Sequence, residues 1–186
     1  VRFKRLTLGD YIINRLGKEN VPIVRQYITS KNEVLGIRCD DITELSYQDL
    51  KVNVPALMEL DNYEEIILRV LKTREKNVTL RKIFKVNVQD RLRFIFWVQE
   101  QYIKINELEE RMLSQSPSPE QINAGVNTLN VLGDVNLIDV IAGGDILKWE
   151  SIRQLPYGRI FEKQLRGVLL DRITERLETN RKNKRK

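Results

Sequence analysis

The stretch NVQDRLRFIFWVQEQYIKINELEERML, Asn87 to Leu113, decides how this chain folds. Asn87-Val88-Gln89-Asp90 reads as a helix start, because a short polar side chain at the N-cap can accept an orphan backbone amide and an acid suits the first turn. From Leu92 to Val98 the residues are apolar nearly all round, a pattern that belongs inside a core. From Gln99 onward the apolar set narrows to Tyr102, Ile105, Leu108 and Met112, one stripe at helical spacing. That stripe either packs on a later helix of the same chain or is offered to a partner protein.

Downstream, residues 114–118 form a Ser/Pro linker that ends in a capping box: Ser118 at the N-cap, Pro119 at N1 and Gln121 at N3. The helix opened there is expected to run to about Leu132, with Gly133 as its stop. A short helix from about Asn136 to Ala142 ends at Gly143-Gly144, and Asp145 caps the next, which carries Ile146, Trp149 and Ile152. Pro156 begins the last helix, whose Ile160, Phe161, Leu165, Val168, Leu169, Ile173 and Leu177 are expected on one face. Beyond Thr179 the charged end has nothing to bury and is expected to fray.

Upstream, residues 1–86 read as a mixed region. Arg2 to Leu6 suggests a strand, Thr7 with Asp10 a capped helix, and Pro22 the opening of another. Val34 to Cys39 is the best strand candidate, interrupted by Gly36. Ser46 with Asp49 is a further cap, and Pro55 should break or kink any helix through it. Ile66, Ile67, Val70 and Leu71 make the stripe of a helix from about Asn62 to Arg74. Val78, Leu80, Phe84, Val86 and Val88 alternate like a half-buried strand, a pattern that competes with a helical reading. The expected fold is therefore mainly α: a small mixed α/β N-terminal part, a multi-helix part over 87–180, and a basic tail at 181–186.

Composition narrows the chemistry. The 186 residues contain no histidine and one cysteine, which removes the commonest general base, the usual zinc ligands and any internal disulfide. No apolar run approaches the ~18–20 residues a membrane span needs, and Val1 to Arg5 is followed by no signal-peptide core. Charge is blocked. Residues 40–65 hold eight acids and one base, residues 69–93 nine bases and two acids, and the formal net charge is +6. Such blocks are either solvated faces or complementary patches that register neighbouring subunits.

Each candidate for chemistry has a plainer explanation. Gly143-Gly144-Asp145 lacks the further amides and the Lys or Ser/Thr of a phosphate cradle and reads as a helix boundary. Asp40-Asp41 with Glu44, and Glu109-Glu110, lack the spacing of a hydrolytic metal site. Cys39 has only Arg38 beside it to activate a thiolate and reads as a buried structural residue. Trp97 and Trp149 read as core anchors. The tail residues Arg181, Lys182, Lys184, Arg185 and Lys186 could neutralise phosphates without sequence specificity, or simply solubilise the chain.

Over residues 84–180 the order of motifs resembles that of small helical tail-assembly and tail-associated structural proteins of tailed bacteriophages. The segment led by Phe84 is followed by Ile105-Asn106-Glu107-Leu108-Glu109-Glu110, then Ser118-Pro119-Glu120-Gln121 with Ala124-Gly125. Next comes Ala142-Gly143-Gly144-Asp145-Ile146-Leu147-Lys148-Trp149-Glu150, and finally Leu155-Pro156-Tyr157. The resemblance covers about half the chain. It implies a protein without catalytic activity, metal or cofactor, acting in the host cytoplasm during assembly or retained in the virion. Its expected partners are other protein subunits, copies of itself included, met through Tyr102, Ile105, Leu108 and Met112 and through charged patches. The competing expectation is a nucleic-acid-binding accessory protein using the basic 69–93 block and the C-terminal tail.

Overall fold

The computed structural model describes residues 28–114, 117 and 119–183. The expected strand at Arg2 to Leu6, the helices at Thr7 and Pro22, the Ser118 cap and the tail residues Lys184, Arg185 and Lys186 lie outside them. The described chain is mainly α, with one two-stranded antiparallel sheet. It divides into two compact units, Val1–Ile105 and Asn106–Lys186. That division falls within the long helix, where the sequence reading placed it at residue 87.

In the first unit, β1 (Glu33–Val34) pairs with β2 (Ile37–Arg38) in the register Glu33↔Arg38 and Val34↔Ile37. The single strand expected at Val34 to Cys39 is instead a hairpin, because Leu35 and Gly36 both take positive φ, +57° and +74°, and turn the chain. Ser46 does cap the following turn: its Oγ accepts from the Asp49 amide at 3.0 Å. A π-helical stretch, Asp49–Asn53, then leads into α1 (Val54–Glu59). The loosened turn sits next to Pro55, which has no N–H to give the preceding turn. Asp61, at φ +53°, lies just beyond this helix, and α2 (Tyr63–Lys72) follows. Ile66, Ile67, Val70 and Leu71 are all buried, as their spacing requires.

The alternating segment after Val78 resolves as helix. Thr79 caps α3 (Leu80–Ile83), its hydroxyl accepting from the Lys82 amide. The sheet among the described residues holds β1 and β2 alone, and a strand that joins no sheet leaves its amides unsatisfied. Next, α4 (Val88–Leu113) begins where the sequence says: Asn87 Oδ1 accepts from the Asp90 amide at 2.8 Å. Leu92, Phe94, Ile95, Phe96, Trp97 and Val98 are buried on every side of it. The Phe94 and Trp97 rings meet at 5.3 Å. Each such side chain contributes roughly 1.5–3 kcal/mol by leaving water.

The second unit is built from shorter pieces. The single helix expected from Ser118 to Leu132 is broken: α5 (Pro119–Asn123) stops before Gly125, whose φ of +86° no right-handed helix tolerates, and a 3₁₀ stretch, Val126–Leu132, carries on. Then α6 (Asp134–Ala142) ends on Gly143 in the left-handed conformation. Asp145 caps the next turn, accepting from the Leu147 amide at 3.1 Å, and α7 (Trp149–Arg153) follows. The last helix, α8 (Tyr157–Asn183), continues past Thr179 through Arg181 and Lys182. Cations in the last turn suit the negative end of the helix dipole, so the charged end extends the helix.

The seven apolar residues expected on one face of α8 do not share one. Ile160 is buried, Phe161, Leu165 and Val168 are half-buried, and Leu169, Ile173 and Leu177 are exposed. The reason is geometric. Four residues advance about 400° around a helix of 3.6 residues per turn, so the ridge from Phe161 through Leu165, Leu169 and Ile173 to Leu177 drifts steadily off the inner face.

Candidate interaction surfaces

The acidic and basic blocks meet inside the first unit. Glu64 of α2 and Arg91 of α4 form an ion pair at 2.5 Å, each side chain 3% exposed. Burial lowers the Arg91 pKa, and the Glu64 charge opposes that shift. The Arg91 guanidinium also lies 5.8 Å from the Phe84 ring centroid. Arg69 pairs with Asp49 and, at 3.4 Å, with Glu65. Three acids of the 40–65 block are thus engaged by two bases of the 69–93 block. The Glu64–Arg91 pair was not singled out from sequence; the abrupt sign change between the blocks was its only signal. Beyond these pairs Lys72, Arg74, Lys76, Arg81, Lys82 and Lys85 are exposed.

The α4 stripe is largely used by the chain itself. Ile105 is 8% exposed, while Tyr102, Leu108 and Met112 are half-buried. Farther along, Glu109 Oε1 accepts from the Tyr157 hydroxyl at 2.7 Å. That bond joins the end of α4 to the start of α8, and it links two of the motifs that carry the resemblance. In the same unit Trp149 Nε1 donates to Asp139 at 3.2 Å, so Trp149 is half-buried with its polar edge satisfied.

Among the described residues of the second unit apolar side chains stay open in several places, two of them on or beside α8. The outer side of α8 carries Leu169, Leu170, Ile173 and Leu177, each about half exposed (47–53%). A groove of about 290 Å³ runs between Leu113 of α4, Leu137, Val140 and Ile141 of α6, and Gly167 and Val168 of α8. Lys163, Gln164 and Asp171 form its polar edge. At this size, and without a convergent set of polar groups, the groove suits apolar side chains better than a cofactor.

The other candidates settle into structural positions. Cys39 is a free, fully buried thiol whose pKa is raised by burial, with Arg74 opposing the shift. Asp41 accepts from the amide and hydroxyl of Thr43 and so shapes a turn. Tyr63 is pushed up to about 12 by burial and its bond to Asp61. Among the described residues no three acid or cysteine side chains group as metal ligands, and no helix is long and apolar enough to cross a membrane. Arg181 and Lys182 are exposed at the end of α8. The chain matches no protein-family model, no curated protein sequence and no solved structure.

Proposed function

We propose that this chain is a non-enzymatic structural or assembly protein of a tailed-bacteriophage particle that binds other protein subunits through helix faces and charged patches. The observation that carries the binding role is the second unit's uncovered apolar surface. Leu169, Leu170, Ile173 and Leu177 lie along the outside of a helix, with Val140 at 69% exposure beside the groove. Soluble monomers rarely expose contiguous apolar patches of this kind, and such patches mark contact sites. The order of motifs over residues 84–180 supports the phage context. The test is reconstitution of the full chain with purified tail subunits, with complex mass read by light scattering. A stable complex of defined mass is expected. A chain that remains monomeric and binds no virion subunit overturns the proposal.

A second reading, nucleic-acid binding, is favoured by the exposed cations from Lys72 to Lys85 and by Arg181 and Lys182. It requires affinity for duplex DNA that falls steeply as salt rises, because bound cations displace condensed counterions. Fluorescence anisotropy across a salt series decides it. Binding that is absent, or flat with salt, removes this reading.

A further inference from the structure

Two of the open apolar surfaces of the second unit, the distal stripe of α8 and the groove, belong to chain segments of opposite net charge. From Leu169 on, α8 is exposed at every residue except the half-buried Arg172. A helical segment of about 15 residues is marginal in water unless its apolar face is covered. The groove, in turn, is a largely apolar site whose wall includes Gly167. A Cβ placed there would meet nothing within 4 Å, so the wall stands back from its surroundings and leaves room for an incoming side chain. Glycine inside a helix costs about 1 kcal/mol relative to alanine, which makes its place on the groove wall notable.

Charge separates the same two parts. Residues 106–162, which supply the α4 and α6 walls, hold nine acids and four bases, whereas residues 169–186 hold seven bases and three acids. Opposite signs favour encounter and alignment of the two surfaces. They cannot meet within one molecule, because the groove wall is the proximal part of α8 itself and a continuous helix does not fold back onto its own earlier turns.

We infer that the occupant of the groove is the distal half of α8 from a second copy of this chain, with Leu169, Leu170, Ile173 and Leu177 directed into the apolar site around Val140 and Gly167. The inference rests on the reading of the chain as a subunit-binding protein and names one of its partners.

Sedimentation velocity of the full chain over a concentration series tests it, with three proteins: wild type, L170D/I173D and V140K. The substituted residues are exposed, so each variant should keep its helix content by circular dichroism. Each variant places charge of the same sign as the segment it meets, and a charge buried against apolar surface without a partner blocks the contact. Wild type is expected to gain mass above the monomer as concentration rises, and each variant alone to lose that association. A mixture of the two variants is expected to return a dimer, because one partner retains an intact groove and the other an intact stripe. G167L and L177D serve as a second pair should either first variant lose helix. Wild type that stays monomeric, V140K that associates like wild type, or a mixture that forms no dimer overturns the inference. A monomer that still joins other tail subunits overturns this inference alone and leaves the proposed function standing.

Discussion

The two units of this chain spend their apolar residues differently. Among the described residues, the first unit buries twenty-two apolar side chains and leaves five large ones exposed, whereas the second buries five and leaves twelve exposed. Both units are helical, so secondary structure does not explain the contrast. The first unit holds a helix, α2, whose Ile66, Ile67, Val70 and Leu71 recur within two turns, and a segment of α4, Leu92 to Val98, that is apolar all round. The second unit has helices of five and nine residues and one long helix whose apolar ridge winds outward. A dense core makes a unit self-sufficient, whereas a sparse one leaves apolar area for a neighbour to cover.

The comparison can be broken most readily at the buried ion pair. Glu64→Ala leaves the Arg91 charge buried without its carboxylate, and the expected loss is about 3–5 kcal/mol in urea unfolding. A change under about 1 kcal/mol would mean that water reaches the pair and that the first unit is looser than it looks. Matched leucines sharpen the contrast. Leu71→Ala, at 0% exposure, should cost about 2–5 kcal/mol, while Leu177→Ala, at 53%, should stay within about 0.5 kcal/mol at concentrations where the chain is monomeric. Equal losses would erase the distinction between the units.

An effect smaller than either buried-site loss, and of opposite sign, is expected at an exception inside the first unit. Leu35 is 38% exposed and held at φ +57°, a conformation that costs an ordinary L-residue about 1–2 kcal/mol. Leu35→Asn should therefore raise stability by up to about 1 kcal/mol, read as a higher melting temperature. A lower melting temperature would show that Leu35 packs against something its exposure conceals.

Local signals were legible where one residue and its near neighbours suffice. Asn87 starting α4, Ser46 accepting from Asp49, Asp145 capping, and Gly143 closing α6 all depend on contacts within three or four positions. The stripe of α2 was equally plain. Signals failed where a second element had to choose. The alternation from Val78 to Val88 fits a strand, but the segment joins no sheet and the Thr79 cap won. The hairpin at Leu35-Gly36 was hidden because leucine is an uncommon residue at positive φ. For the candidate site, the sequence located the apolar residues of α8 but set them on one face, and it did not indicate the groove.

By itself the sequence determined a mainly α chain, the caps that bound its helices, a buried middle to α4, and charge separated into blocks of opposite sign. Those properties follow from spacing, composition and local hydrogen bonding, which are written along the chain. The tertiary structure alone decided that Glu64 meets Arg91, that Glu109 meets Tyr157, and that α8 turns its distal leucines outward beside an open groove. Pairings of residues 27 and 48 positions apart depend on how helices pack. Periodicity cannot encode that, because it states which residues share a face and not what that face will meet.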